Sequence, residues 1–94
     1  MAERNAYFFK SFSHESRNEL LRLLAENKEM SVEELADASS ITASTVSRHL
    51  SLLKMQGVVV VRMDPPAHYY SLNSEEIITR FREFMAFLKL DDNL

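Results

Sequence analysis

The stretch Thr42-Ala-Ser-Thr-Val-Ser-Arg-His-Leu50 decides the fold. Val46, Leu50 and then Leu53 recur at i, i+4 and i+7, which is one apolar stripe of an α-helix headed by Thr42 as its N-cap. The opposite side is short, polar and basic. Ala43, Ser44, Ser47 and Arg48 fall at i, i+1, i+4 and i+5, away from the stripe. The helix is predicted to reach Gln56, because Gly57, the only glycine in the chain, stands where a helix end needs positive φ.

Working outward toward the N-terminus, Ser31-Val-Glu-Glu34 has the serine-to-glutamate spacing of a capping box. It opens a short helix over 32–38 with Val32, Leu35 and Ala36 inward, and Ser39-Ser40 makes the turn into the longer helix. Before it, Leu20, Leu21, Leu23 and Leu24 mark a helix ending near Glu26, with Ser13 as its expected cap and a left-handed Asn27 as its stop. A first helix over 3–12 carries Tyr7, Phe8, Phe9 and Phe12. Toward the C-terminus, Val58–Arg62 and His68–Leu72 read as strands joined by the turn Asp64-Pro65-Pro66. Asn73 or Ser74 starts a last helix to about Leu88, and residues 89–94 read as a frayed tail.

The order is α-α-α-α-β-β-α: mainly α with a small β-hairpin, in a single domain over 1–94. A helix-turn-helix over 32–56 followed by a hairpin wing over 58–72 is a winged helix-turn-helix. The apolar helices over 3–12 and 74–88 are left to pair two copies.

Bulk composition narrows the function. Net charge is −3, which argues against a nucleic-acid partner until it is divided along the chain. Residues 1–41 sum to −3 and residues 73–94 to −2, while residues 42–72 sum to +2 from Arg48, Lys54 and Arg62 against Asp64. There is no cysteine, so disulfides, thiolate metal sites and thiol nucleophiles are excluded. No nucleophile elbow, glycine-rich phosphate loop or metal motif is present, so an enzyme is not expected. No apolar run approaches the ~20 residues of a membrane span and no signal peptide opens the chain, which points to the cytoplasm.

Taken together, Glu29-Met-Ser-Val-Glu-Glu-Leu35, Thr45-Val-Ser-Arg-His-Leu50-Ser-Leu-Leu-Lys54, Gly57-Val-Val and Tyr69-Tyr-Ser-Leu72 resemble the ArsR/SmtB family. The resemblance covers about residues 5–88. It implies a homodimeric winged-helix repressor of its own operon, released from an inverted-repeat operator when a ligand binds. Carried over from the family, Ser44, Ser47 and Arg48 are the leading contacts to double-stranded DNA, with Ala43 on the same face. Thr45 and His49 are next, turned toward a phosphate. Lys54 and Arg62 would hold phosphates, which gives affinity and salt dependence rather than base choice. His68, at the wing base, either enters the minor groove or is a solvated strand-end histidine. The competing reading of Ser44, Thr45 and Ser47 is the plain polar face of an exposed helix. One of Tyr69 and Tyr70 is expected inward and the other outward.

In the last helix Ile77, Phe81, Phe84 and Leu88 form one stripe, broadened by Ile78, Met85 and Phe87. With Tyr7, Phe8 and Phe12 of the first helix they are the expected dimer face, since one domain needs only one side of such helices. The alternative is that these aromatics fill the core of a single copy. The switch is missing. Where arsenic- and cadmium-sensing relatives carry Cys-Val-Cys, this chain reads Ser31-Val32-Glu33, and the zinc-type histidines of the last helix are absent. His14, His49 and His68 are scattered over three elements without ligand spacing. No metal or other cofactor is therefore expected, and an unidentified small-molecule or protein effector, or none, remains open. A winged helix used only for protein–protein contact is the rival function.

Overall fold

The computed structural model describes residues 2–90, with side chains from Asn5 onward. Its elements are α1 (Ala2–Lys10), α2 (Glu15–Glu26), β1 (Met30–Ser31), α3 (Val32–Ser39), α4 (Ala43–Met55), β2 (Val59–Asp64), β3 (Ala67–Leu72) and α5 (Ser74–Phe87). The expected helices and hairpin are present, with one strand more. Met30 and Ser31 pair antiparallel with Tyr70 and Tyr69, which makes the hairpin a three-stranded sheet in the order β1-β3-β2. A two-residue strand has no alternation of its own to detect and exists only through its partner's free edge.

Local chemistry sets most boundaries. Ser31 Oγ accepts from the Glu34 amide at 3.1 Å while Glu34 Oε1 accepts from the Ser31 amide at 2.9 Å, which closes the capping box. Thr42 Oγ1 accepts from the Thr45 amide at 3.4 Å and caps α4. Gly57, at φ 75°, ends that helix: its amide donates to Lys54 and that of Val58 to Leu53, at 3.0 and 2.9 Å. This pair of bonds is the Schellman closure, which satisfies carbonyls the helix leaves open.

Three local expectations are corrected. The cap of α2 is His14 rather than Ser13: Nδ1 of His14 accepts from the Ser16 amide, while Ser13 Oγ donates to the Lys10 carbonyl at 2.8 Å. Asn27 is extended, with φ −129°, and closes α2 through its own Nδ2 and amide on the Leu23 carbonyl. A left-handed serine instead ends α3, where Ser40 stands at φ 62°. Lys89 and Leu90 are not frayed, because Lys89 at φ 62° closes α5 in the same double-bonded way, donating to Ala86 while Leu90 donates to Met85. The rest of the expected tail, 91–94, lies outside the described residues.

The core gathers Leu20, Leu23 and Leu24 of α2, Leu35 of α3, Val46, Leu50 and Leu53 of α4, and Met30, Val58 and Val59 near the sheet. The α4 stripe is fully buried, so its other face is fixed outward. Phe8, assigned above to the dimer face, belongs to this core at 0% exposure. Arg80 of α5 is also buried, at 3% exposure, which the helical pattern does not suggest. Its guanidinium lies 4.4 Å over the Phe8 ring, donates to Asn5 Oδ1 at 3.2 Å and contacts Glu76 at 3.4 Å. A buried guanidinium persists only where its charge is paired and its donors are bonded. Around it Phe81 meets Phe8 and Phe9 edge to face, and tilted contacts of Phe12 with Phe81 and of Phe9 with Phe84, centroids 4.7 Å apart, complete the tie between α1 and α5.

Candidate nucleic-acid interface

Because Val46, Leu50 and Leu53 point inward, α4 presents Ala43, Ser44, Ser47 and Arg48 to solvent at its N-terminal end. A hydroxyl relay runs along this end. Thr42 Oγ1 donates to Thr45 Oγ1 at 3.0 Å, and Arg48 Nη2 donates to the same Thr45 oxygen at 3.4 Å. Thr45 is thus half-buried and occupied in steering Arg48, whose guanidinium is drawn back toward the start of the helix. Short hydroxyls and one arginine at this end suit base edges in a major groove. Lys54 is exposed in the last turn, one helix length away.

The wing completes the surface. His68 is exposed on β3 and lines a cleft of about 290 Å³ with Val32 and Glu33 of α3, Ser47 of α4, and Pro66, Ala67 and Tyr70. Helix α4 and the wing therefore border one cleft, lined by both Ser47 and His68. Tyr70 packs on the core, whereas Tyr69 takes the other sheet face, as alternation requires.

Two expected phosphate ligands are placed differently. Arg62 is engaged within the protein: its Nη2 and Nε donate to the two Glu29 oxygens at 2.7 and 3.1 Å, and Asp64 lies 3.6 Å from Nη1. Its guanidinium rests 4.8 Å over the Tyr69 ring. Glu29 holds the arginine pKa above its usual range, and Arg62 in turn lowers that of Glu29. The partner was hidden from sequence because Glu29 precedes β1, the strand that brings it beside the wing. His49 turns inward rather than toward a phosphate. It is half-buried against His14, with ring centroids 4.9 Å apart, so two of the histidines read as scattered are neighbours. Burial, then His14, Arg17 and Arg48, push the His49 pKa down. Among the described residues no three His, Asp or Glu side chains gather as a metal-binding group.

On the α1–α5 side, Ile78, Phe81, Phe87 and Leu88 are exposed, Phe87 to 66%. Phe12, Ile77, Phe84 and Met85 are half-buried beneath them. Tyr7 does not join this group. It borders a separate cleft of about 180 Å³ with Lys10, Ser11, Arg17, Leu52 and Gln56. Among the described residues no helix is long and apolar enough to cross a membrane.

The family model of bacterial regulatory proteins of the arsR family matches residues 14–61, just over half of the chain and the span from the α2 cap to β2. The chain belongs to the arsR family. An HTH-type transcriptional regulator of Methanocaldococcus jannaschii is 33% identical to this arsR-family protein over 80% of the chain and 84% of the relative. A transcriptional repressor SmtB homolog of Synechocystis is 33% identical over 97% of the chain and 68% of the relative. The transcriptional activator HlyU of Vibrio cholerae is 34% identical over 72% of the chain, which spans 62% of HlyU. Among solved structures, a homodimeric winged helix-turn-helix DNA-binding domain from Mycobacterium bovis superposes with a TM-score of 0.74 at 28% identity, covering 93% of this chain and 80% of that one. This arsR-family chain is thus a transcriptional regulator with a winged helix-turn-helix DNA-binding fold, and not an enzyme.

Proposed function

We propose that the chain acts as a homodimeric repressor that reads an inverted-repeat operator with α4 and the wing. The observation that carries this reading is the outward face of α4, where Ser44, Ser47 and Arg48 are exposed over a fully buried apolar stripe. Two such helices, related by a dimer axis through α1 and α5, would enter successive major grooves about one helical turn apart. Exposed Ile78, Phe81, Phe87 and Leu88 supply the apolar contact for that axis, and the Mycobacterium bovis domain is a homodimer. Repression is favoured by the SmtB homolog, while HlyU acts as an activator, so the sign of control is part of the test. With no cysteine in the chain, and Ser31 and Glu33 in the frame of the family's thiolate pair, control passes through something other than soft-metal capture at α3.

The test is selection of a duplex from a random pool, followed by titration at several salt concentrations and by reporter transcription from a promoter carrying the site. The expected result is a palindromic site bound by two copies, with affinity falling as salt rises and transcription falling as protein is supplied. Equal affinity for all duplexes would overturn the reading in favour of a protein–protein module.

A further inference from the structure

The cap of α2 is chemically unusual. Helix N-caps are normally Ser, Thr, Asp or Asn, whose oxygens accept a backbone bond at any ordinary pH. Here the acceptor is Nδ1 of His14, 3.3 Å from the Ser16 amide. An imidazole nitrogen that accepts carries no proton, so the cap is lost if Nδ1 is protonated. The same ring packs at 56° against His49 of α4, with 4.9 Å between centroids. His49 follows Arg48 directly and lies one turn beyond Thr45, the hydroxyl that steers Arg48.

Among the described residues, no carboxylate is one of the charges that act on His49. The charges acting on His49 are those of His14 and Arg17 from α2 and Arg48 from α4, all of one sign when protonated. Arg17 is itself directed to the C-terminal end of α1, where its Nη2 donates to the Lys10 carbonyl at 3.3 Å. Glu15 stands in the first turn of α2, next to His14 in sequence, and is exposed. Nδ1 of His49 is buried without a hydrogen-bond partner. Two arginines beside the rings also disfavour a metal cation there.

We propose that His14 is a positioning residue for the recognition helix: a strut that seats α4 against the start of α2 while both rings are neutral and releases it on protonation. Adding a proton to either ring brings like charges together, and adding it at Nδ1 of His14 also removes the cap. The lowered His49 pKa agrees with this, since burial and the neighbouring cations oppose its charged form. The sign follows from linkage. The unfolded chain holds a proton on His49 at a pH where the folded chain does not. Folded stability is therefore present above the ordinary histidine value near 6.5 and is lost as pH falls through the window beneath it.

His14→Asn isolates the ring, because asparagine keeps a cap acceptor and cannot titrate. Two-dimensional NMR of the histidine rings reads the coupling directly. In the wild type His49 titrates below 6.5, and in H14N its midpoint rises as one neighbouring charge of like sign is removed. His49→Gln supplies an independent check. The wild-type denaturant midpoint drops between pH 7.5 and 5.5, and the drop is at most about half as large in H14N and in H49Q. A His49 midpoint unchanged by H14N, or equal pH dependence in all three proteins, would overturn the proposal. A second arm rests on the DNA-reading function. The ratio of operator to non-specific affinity, in which general phosphate attraction cancels, falls about threefold or more on acidification in the wild type and stays level in H14N. If no specific duplex exists, that function fails while the ring titration still decides the strut.

Discussion

Replacing Glu29 with Gln should hand the wing an arginine it does not now offer to DNA. Both Glu29 oxygens accept from Arg62, at 2.7 and 3.1 Å, and Asp64 stands 3.6 Å from its third nitrogen. Two carboxylates against one guanidinium, with Lys28 also acting on Glu29, leave this patch without net positive charge to draw a phosphate. The amide in E29Q keeps the size of the side chain and removes its charge, so the patch gains one unit of positive charge and the fork is free to leave Tyr69. Each phosphate contact adds about 0.9 to the slope of log affinity against log salt. One new contact per protomer steepens the slope of a dimer by about 1.8, which between about 50 and 200 mM salt is a further loss of about twelvefold. Fluorescence anisotropy of a labelled duplex over a salt series measures it. Arg62→Ala in the wild-type background should leave the slope nearly unchanged, since that guanidinium is already paired. If R62A alone flattens the slope by about 0.9 per protomer, Arg62 already holds a phosphate and the reasoning fails.

Other perturbations follow from the same geometry. Arg48→Ala should weaken operator binding by about 1–3 kcal/mol and relax preference at one base position, read by competition with single-base variants of the site. Phe87→Glu places a charge on a side chain 66% exposed, so it should leave the fold intact and yield a monomeric mass by light scattering at micromolar concentration. Gly57→Ala should cost about 1–2 kcal/mol in denaturant unfolding. The added Cβ would sit at an ordinary 3.5 Å from Glu76 Cγ, so the cost comes from φ 75° rather than from crowding.

Features settled within a few residues were legible in sequence. The Ser31–Glu34 box, the Thr42 cap and the Gly57 stop each depend on neighbours three or four positions away, and each lies where the spacing put it. The inward stripe of α4 was equally readable, because a helix fixes which side chains share a face. What failed was non-local. β1 is created by β3, some forty positions later, and it is β1 that sets Glu29 on Arg62. His14 and His49 look unrelated until α2 and α4 pack. Phe8 was misplaced and the burial of Arg80 went unread for a related reason: period alone does not say which ring of an aromatic stripe turns inward, nor that a cation joins it. The Phe8 ring instead gives the guanidinium a flat surface on which both are buried.

The two-residue β1 also has a mechanical consequence. Of the six rungs joining β2 to β3, Val61–Tyr70 and Arg62–Tyr69 are braced by β1 from the far side, and only Met63–His68 and Asp64–Ala67 project beyond it. The base is anchored separately, where the Asn73 amide donates to the Val58 carbonyl at 2.9 Å. A ribbon clamped at one end sags steeply with its free length, so a brace at mid-span leaves a short, stiff cantilever. The smallest element of the fold is thus the fulcrum that determines how firmly His68 and the Pro65-Pro66 tip are held out toward whatever they touch.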